Sequence, residues 1–296
     1  MFYLVIFIFP ILINSQVLDT DLSDGLNAEG VSIKYLEGSS EPFKGNVFNY
    51  YPNGNRELKG NYSRGLKEGK WVWWYPNGEK NKTGYYVRSL EDSIWQWWFK
   101  NGQLMKRGKY KKGKKEGRWS EWYEDGALAT SFGYIDDKPN GKCLKKYANG
   151  EKQIEIMYNY GIKSGIEKEW NENGIPIYEN NWKDGLKDGA QIIWAGNGLI
   201  LSKHRYSKGM LHGEYIDYYK SGQKSIVGNY RFGKKHGTWT YSYKDGVVAL
   251  SGNYRNGDPK GSWFWIRANK SEMVNVDDPD KDWVTKRIRE WERIYN

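Results

Sequence analysis

The chain has 296 residues, and its apolar mass lies in aromatic rings: 16 Trp and 24 Tyr stand beside 35 Gly, at a mean hydropathy of −0.87. This composition argues against a thick aliphatic core and favours a thin sheet with amphipathic rings on its faces. The formal net charge is +10, which favours acidic partners, although lysine also solubilises sheet edges. The single cysteine, Cys143, excludes an internal disulfide framework and a cysteine-rich metal site.

The N-terminus carries an apolar run from Phe2 to Ile13, followed by the polar residues Asn14, Ser15 and Gln16. The run is too short for a transmembrane helix and has the length of a signal-peptide core. We therefore expect a signal peptide over residues 1–15 and an exported protein that is secreted, periplasmic or bound to the cell surface. An uncleaved membrane anchor is the alternative.

A repeat of 24 residues organises the chain from about residue 41 to 267. Its first column is a turn dipeptide ending in Gly54, Gly78, Gly102, Gly126, Gly150, Gly174, Gly198, Gly222 and Gly246. Its second column is aromatic throughout: Tyr62, Tyr86, Tyr110, Tyr134, Tyr158, Trp182, Tyr206, Tyr230 and Tyr254. A third column is a G-x-x-x-G pair such as Gly65/Gly69, which Ser89/Ser93 and Asp137/Gly141 fill less completely. Three columns in one register show that the chain is a repeat array.

The repeat predicts its own secondary structure. Asn-Gly between short aromatic runs is typical of a hairpin with a two-residue type I′ turn, and the connection around G-x-x-x-G is also short. Each unit is then strand, turn, strand, turn. The fold class that we predict is all-β: an elongated, single-layer antiparallel meander of repeated hairpins, with a short C-terminal capping helix.

The two-residue turn also predicts the strand register. If Asn77 and Gly78 are the central residues, then Trp71 lies opposite Gly84. The same count sets other rings opposite glycines, as in Trp95/Gly108, Tyr215/Gly228 and Trp239/Gly252, whereas Trp119 faces Phe132 and Val47 faces Gly60. A ring that covers a strand glycine shields exposed backbone. We therefore expect Trp71 to shield Gly84.

The two ends differ from the repeats. Residues 16–40 are predicted to form an N-terminal cap or linker, and residues 268–296 a linker followed by an amphipathic helix that caps the sheet. Asp278-Pro279 is typical of a helix start. A helical stripe follows it: Trp283, Val284, Ile288, Trp291 and Ile294.

The columns G-x-x-x-G-x-W-x-x-Y-x-x-N-G-x-x-x-x-x-G-x-Y resemble MORN repeats. They are most similar to the 24-residue variant repeat of bacterial proteins that are described as antitoxins of toxin–antitoxin pairs. Residues 65–86 (GLKEGKWVWWYPNGEKNKTGYY) carry the whole pattern, and His212 and His236 give two units the form G-x-x-H-G. The resemblance implies a scaffold or membrane-associated module, with phospholipid binding or an antitoxin role among its expected functions.

The sequence offers little for catalysis. His212 and His236 fill one repeat slot that elsewhere holds Glu68, Asp92 or Lys260, which is typical of a solvated turn position. Cys143 lies in the register of Trp71 and is predicted to be a small sheet-facing residue. The carboxylates form no recognisable pair, and no phosphate loop is present. We therefore expect no enzyme activity, no metal and no cofactor.

Two surfaces are candidates for binding. The first is aromatic, where strand alternation places rings on both sheet faces: Trp73, Trp74, Trp97, Trp98 and Trp122. The second is the basic stretch from Lys106 to Arg118, whose candidate residues are Lys106, Arg107, Lys109, Lys111, Lys112, Lys114, Lys115 and Arg118. Both also have an architectural explanation, as core rings and as solvated turn lysines.

Three functions follow as hypotheses. The first is a non-enzymatic exported repeat protein whose aromatic and basic surface binds another protein or a cell-envelope component. The second is a binder of acidic phospholipid or acidic glycan surfaces, and the third is an antitoxin-like protein that sequesters a toxin. Nucleic acid is disfavoured as a partner of an exported protein.

Overall fold

A computed structural model describes residues 17–267, 270–275 and 281–295. The predicted signal peptide and the predicted helix start at Asp278-Pro279 lie outside these residues. The chain forms two compact units. Unit 1 holds the chain up to Glu116 together with 124–126, and unit 2 holds 117–123 together with everything from Ala127 onward.

Unit 1 is built from hairpins that follow a short N-terminal segment. Its elements are β1 (Val17–Leu18), a 3-10 turn (Asp19–Asp21), β2 (Leu22–Leu26), β3 (Ser32–Leu36), β4 (Gly45–Tyr50), β5 (Arg56–Ser63), β6 (Leu66–Lys67), β7 (Gly69–Trp74), β8 (Lys80–Val87), β9 (Leu90–Trp98) and β10 (Leu104–Lys111). Strands β4 to β10 pair antiparallel in chain order. β2 and β3 form a separate hairpin, and β1 pairs parallel with β4.

Unit 2 continues the meander after β11 (Lys114–Trp122), in which the boundary between the units falls. Its strands are β12 (Leu128–Ile135), β13 (Lys138–Pro139), β14 (Gly141–Lys146), β15 (Lys152–Asn159), β16 (Ile162–Trp170), β17 (Pro176–Lys183), β18 (Leu186–Trp194), β19 (Ile200–Ser207), β20 (Met210–Tyr218), β21 (Lys224–Arg231), β22 (Lys234–Ser242), β23 (Val248–Arg255), β24 (Asp258–Arg267) and β25 (Lys270–Asn275). Helix α1 (Lys281–Tyr295) follows. The predicted fold class, an all-β antiparallel meander of hairpins with one C-terminal helix, is confirmed.

The Asn-Gly turns differ from the prediction. Tyr75 N–H donates to Glu79 O, and Gly78 N–H donates to Tyr75 O, so the loop has three residues, Pro76-Asn77-Gly78. Only Gly78 has a positive φ, of 89°. This is a type I turn followed by a left-handed glycine. The prediction of a two-residue type I′ turn was therefore wrong.

Type I′ turns occur instead at the opposite ends of the strands. Arg64 and Gly65 have φ of 50° and 72°, and they connect the paired residues Ser63 and Leu66. The same pair of positive φ values recurs at Arg88-Ser89, Lys112-Gly113, Asp136-Asp137, Tyr160-Gly161, Asp184-Gly185, Lys208-Gly209, Phe232-Gly233 and Asn256-Gly257. The first glycine of G-x-x-x-G is therefore the second central residue of a type I′ turn.

The predicted register is nevertheless confirmed, because a bulge compensates for the longer loop. Trp74 pairs with Lys80 but Trp73 pairs with Lys82, so Asn81 is an extra residue on β8. Beyond this bulge Trp71 pairs with Gly84, as predicted. The other predicted pairs are also present, including Trp95/Gly108, Trp119/Phe132, Tyr215/Gly228 and Trp239/Gly252.

At four strand glycines the covering ring comes from the other neighbouring strand. A Cβ built on Gly84 would lie 2.1 Å from Cδ2 of Trp95, and one on Gly60 would lie 2.3 Å from Cδ2 of Trp71. Gly228 and Gly252 are covered in the same way by Trp239 and Trp263. The prediction that Trp71 shields Gly84 was therefore wrong: Trp71 shields Gly60, in the hairpin before its own.

Each unit buries a core at one end of its sheet. In unit 1, Leu22 packs with Val47, Leu58, Tyr62 and Trp71, so the N-terminal segment covers the first repeat. In unit 2, α1 places Val284 and Trp291 against a cluster of strand residues: Trp239, Tyr241, Ala249, Leu250, Tyr254, Trp263 and Trp265. Sheet ends with unburied apolar faces require such covers.

Candidate functional site

One face of unit 1 carries a row of stacked indoles, which we call the tryptophan face: Trp71, Trp73, Trp95 and Trp97. Trp73 is stacked between Trp71 and Trp95, at ring-centroid distances of 5.7 and 6.0 Å, and Trp97 lies 5.8 Å from Trp95. Trp71 and Trp95 are 1% and 2% exposed, whereas Trp73 and Trp97 are only half-buried. The buried indoles are architectural, and the half-buried ones offer ring surface to a partner.

Lysine side chains lie over these rings. Lys82 Nζ is 4.2 Å from the centroid of the Trp73 ring, Lys67 Nζ is 4.6 Å from that of Trp71, and Lys106 Nζ is 5.7 Å from that of Trp97. Such cation–π contacts hold the amines against the face. Burial lowers the pKa of Lys67 and the pKa of Lys82, which means that their charge is incompletely solvated. The face therefore presents aromatic surface together with cations suited to carboxylates.

In unit 1 the opposite face carries two more of the predicted indoles, Trp74 and Trp98, and the remaining one, Trp122, lies in unit 2. All three are half-buried. Arg56 Cζ lies 5.6 Å from the Trp74 ring, and Lys80 Nζ lies 5.9 Å from the Trp98 ring. Strand alternation thus divides the predicted aromatic residues between two faces, and the structure does not bring them together in one site.

The predicted basic stretch is divided in the same way. Lys106 lies on the tryptophan face, so its neighbours Arg107, Lys109 and Lys111 on β10 project from the opposite face. Lys112 belongs to a type I′ turn, and Lys114 and Lys115 begin β11. Arg118 lies in unit 2, where its guanidinium donates to Ser131 Oγ at 3.5 Å. Binding by these residues stays a prediction.

Side chains of the turns connect successive repeats. The Tyr75 hydroxyl donates to Trp98 O at 2.8 Å, and Asn77 Nδ2 donates to Lys100 O at 3.0 Å. The tyrosine bond recurs from Tyr51, Tyr123, Tyr147, Tyr219 and Tyr243, and the asparagine bond from Asn53, Asn101 and Asn149. Sequence reasoning assigned these residues only to turns. The 24-residue recurrence of a hydroxyl and an amide was the available signal for this second role.

The slot of His212 also differs from the prediction of a solvated turn position. Its members accept hydrogen bonds from the backbone of the next type I′ turn: Glu68 from Arg88 N–H, Asp92 from Lys112 N–H, Asn140 from Tyr160 N–H, Asp188 from Lys208 N–H and His212 from Phe232 N–H. The Glu, Asp, Asn and His side chains all offer an acceptor atom, which explains why these types interchange here, whereas Lys260 in the same slot has none. The slot therefore has a structural role.

In unit 2 the middle of the equivalent face is polar. Glu167, in the register of Trp71, is 5% exposed and accepts from Lys163 Nζ and Trp182 Nε1, each at 2.8 Å. His204 Nε2 lies 2.9 Å from Asp217 Oδ1, and the Tyr215 ring stacks on the imidazole at 3.9 Å. Cys143 is 1% exposed, and burial raises the pKa of its thiol. Glu167 and His204 thus have hydrogen-bond partners within the sheet, and the thiol of Cys143 is buried in it.

The part of the chain that the structure describes shows no cluster of three or more His, Cys, Asp or Glu side chains able to hold a metal. None of its helices is long and apolar enough to cross a membrane.

Unit 1 also has a groove of about 490 Å³ beside its type I′ turns, lined by Asn27, Glu29, Val31, Leu66, Val87, Arg88, Leu90, Asp92 and Lys112.

These features define a class: an all-β repeat protein of successive short hairpins, held together by side chains that bridge one repeat to the next. The family model for the MORN repeat variant matches residues 44–64, 67–88, 91–112, 163–184 and 235–256. The chain therefore carries five MORN repeats of this variant type, as the sequence columns suggested.

Other comparisons add little. No curated protein matches the chain. Among solved structures, a porin-like protein from Bacteroides uniformis is 8% identical, with 81% of this chain and 91% of that chain covered and a TM-score of 0.16. That likeness carries no argument about this chain.

Proposed function

We propose that the protein is an exported, non-enzymatic binding protein whose tryptophan face in unit 1 holds another protein or a cell-envelope component. One observation carries the proposal: Trp73 and Trp97 remain half-buried although they stack on fully buried indoles and lie under the amines of Lys82 and Lys106. Rigid aromatic rings beside a cation are the groups that dominate protein interfaces. Partly exposed aromatic rings beside cations are typical of an interaction site.

The architecture supports binding rather than catalysis. The repeats are connected only by turns of two or three residues, whereas lids and active-site pockets are usually built from longer loops. His204 and His212 form hydrogen bonds inside the sheet and in a turn, and Cys143 is buried. Repetition instead produces a continuous surface, which is how repeat proteins present binding sites.

The experiment that tests this proposal captures proteins from an envelope extract of the native host. Wild-type protein, Trp73→Ala/Trp97→Ala and the opposite-face control Trp74→Ala/Trp98→Ala serve as baits. We expect a set of proteins that the wild type and the control retain and the first variant loses. Equal recovery by all three baits would reject the tryptophan face as the site.

Export is tested separately, by N-terminal sequencing of the mature protein. An exported protein should be cleaved near Gln16.

A second candidate function is binding to acidic phospholipid or glycan surfaces, which the exposed side chains of Arg107, Lys111 and Lys112 favour. Flotation with vesicles containing phosphatidylglycerol, at low and high salt, tests it. Binding that disappears in high salt and in Arg107→Glu/Lys111→Glu would support this function. Absence of binding at low salt would reject it.

An antitoxin-like role would give a different result in the capture experiment: one toxin protein would dominate the set of proteins that the wild-type bait retains.

A further inference from the structure

We infer that the protein forms a two-fold symmetric dimer through one edge of unit 2, and that the partner at this edge is unit 2 of a second copy of the chain. The edge, which we call the turn edge, consists of four successive type I′ turns: Tyr160-Gly161, Asp184-Gly185, Lys208-Gly209 and Phe232-Gly233. The inference goes beyond the proposed function, because it uses no residue of the tryptophan face.

The turn edge exposes large apolar side chains in four successive repeats. Tyr160 is 58% exposed and Phe232 is 61% exposed. Ile162, Leu186 and Met210, each of which follows a turn glycine, are exposed as well. An exposed apolar strip of this kind is typical of a protein interface, where aromatic rings and methionine are enriched.

The strip is continuous because its side chains lie against the next turn. A Cβ on Gly185 would lie 3.2 Å from Cγ2 of Ile162, and one on Gly209 would lie 3.6 Å from Cδ2 of Leu186. Each turn is also held to the preceding repeat: Gly185 N–H donates to Lys163 O at 3.1 Å, and the bond recurs at Gly209. A partner can therefore dock on an edge that is already ordered, which favours association.

Two of the turns hold aromatic rings in an unusual backbone conformation. Tyr160 and Phe232 have φ of 47° and 49°, and bulky side chains are rare in this left-handed region. The same slot holds Asn256 in the next repeat, with a φ of 55°, and asparagine adopts this conformation more readily. Rings that are kept here in spite of strain indicate that their exposed surface has a function.

The four turns are complementary to themselves. A two-fold axis reverses their order in the second copy, so the first turn faces the fourth and the second faces the third. Tyr160 then meets Phe232 of the second copy, and Asp184 meets Lys208 of the second copy, once on each side of the axis. Two pairs of rings thus enclose two ion pairs, and the charges select this register over a shifted one.

The two-fold arrangement also keeps the remaining positive charges of the edge apart. These residues flank the turns: Lys183, Arg231 and Lys234. The residues that flank the facing turns are uncharged: Ser207, Met210, Asn159 and Ile162. The pairing therefore places no like charges opposite one another at the flanks of the turns.

Unit 1 does not offer the same surface to a second copy. Its type I′ turns begin with Arg64, Arg88 and Lys112. Lys208 would face a basic side chain wherever it met one of these turns, and like charges at an interface disfavour association. The charges of the turn edge therefore favour unit 2 as its own partner.

The test measures the oligomeric state of the full chain by sedimentation velocity over a wide range of protein concentrations. Three variants change the turn edge: Asp184→Lys, Asp184→Lys/Lys208→Asp and Tyr160→Asn/Phe232→Asn. Glu172→Lys is the matched control, because it reverses an exposed charge in a turn at the other edge of unit 2. Urea unfolding confirms that each variant folds.

We expect wild type and Glu172→Lys to form the same concentration-dependent dimer. Asp184→Lys should weaken the dimer at least about tenfold, which corresponds to about 1.4 kcal/mol. The double charge swap should restore the dimer, because it exchanges the two members of each ion pair. Tyr160→Asn/Phe232→Asn should weaken the dimer by a similar factor, since asparagine fits the turn but leaves the ring contacts out.

Three results would overturn the inference: a wild type that stays monomeric, a double swap that associates as weakly as Asp184→Lys, or an unchanged dimer of Tyr160→Asn/Phe232→Asn. Flotation with vesicles containing phosphatidylglycerol tests the other occupant of an apolar strip. A monomeric wild type that binds these vesicles, with binding lost in Tyr160→Asn/Phe232→Asn, would identify the turn edge as a membrane-binding surface and reject the dimer.

Discussion

The indole of Trp95 lies directly on the backbone of Gly84, so closely that a Cβ on Gly84 would be 2.1 Å from Cδ2 and 2.2 Å from Cε2 of the ring. The two residues belong to adjacent strands, β8 and β9, and Trp95 is 2% exposed. Each buried indole of this type joins one repeat to the previous one. The glycine column is therefore required by packing, and its members are not simply flexible positions.

Gly84→Ala should lower the free energy of unfolding by at least about 2 kcal/mol, because the added methyl group overlaps the Trp95 ring and the strands must separate to admit it. Equilibrium urea unfolding, followed by tryptophan fluorescence, measures the change.

Gly196→Ala is the matched control. No atom lies within 4 Å of a Cβ on Gly196, and this residue has no positive φ. Its stability should stay within about 0.5 kcal/mol of wild type. A loss at Gly84 no larger than that at Gly196 would show that the ring can move aside.

Ser93→Gly should stabilise unit 1 by about 0.5 to 1 kcal/mol. Ser93 fills the second position of the G-x-x-x-G pair with a φ of 60°, and a residue with a Cβ is strained in this left-handed conformation. Urea midpoints of wild type and variant give the difference.

The reverse substitution serves as its control. Gly69 fills the same slot one repeat earlier, with a φ of 72° and no atom within 4 Å of a Cβ. Gly69→Ser should therefore destabilise by a similar amount, through backbone strain alone. If both substitutions leave the midpoint unchanged, this slot tolerates the conformation without cost.

The sequence was sufficient to predict the fold class and the strand register, because its repeat columns continue without insertion. The predicted pairs Trp71/Gly84 and Trp239/Gly252 are both present. The turn types could not be predicted. Asn-Gly is compatible with both a type I′ turn and a left-handed glycine after a type I turn, and the bulge at Asn81 hides the difference by restoring the register.

The covering rings were mispredicted for a different reason. A strand glycine has two neighbouring strands, and a pairing count identifies the partner across one hairpin only. Which neighbour's ring leans over Gly84 depends on side-chain direction, which the columns do not contain. Strand alternation predicted the division of the candidate rings between two faces, whereas the position of the Lys106 amine over the Trp97 ring came from the structure. The seat of α1 on an equivalent face became visible only in the structure.

Tyr75→Phe tests the bridges between repeats. The variant removes the hydroxyl that donates to Trp98 O at 2.8 Å and should cost about 1 kcal/mol of stability, the net value of a typical hydrogen bond. Tyr85→Phe, whose side chain is 43% exposed, should be nearly neutral. Urea unfolding of both variants makes the comparison, and equal effects would remove the bridge as a source of cohesion.

Alkaline pH should destabilise the protein through its half-buried tyrosines. Burial, with a smaller contribution from Glu91, raises the pKa of Tyr86 from 10.0 to about 12. Between pH 10 and about 12 the folded state therefore keeps the phenol proton that the unfolded state loses. Since the unfolded state then binds fewer protons, the free energy of unfolding falls as pH rises through this window, and the contribution of Tyr86 is fully retained below pH 10.

Tyr86→Phe removes this group while keeping the ring that packs edge-on against Trp71 and Trp95. Urea unfolding at pH 8, 10 and 11 should give a shallower loss of stability above pH 10 for Tyr86→Phe than for wild type. Lys67 and Lys82 act in the opposite direction. Their lowered pKa values mean that the unfolded state holds more protons just below pH 10.5, so stability rises with pH there. Equal slopes for wild type and Tyr86→Phe between pH 10 and 11 would show that the Tyr86 phenol ionises as readily in the fold as in the unfolded chain.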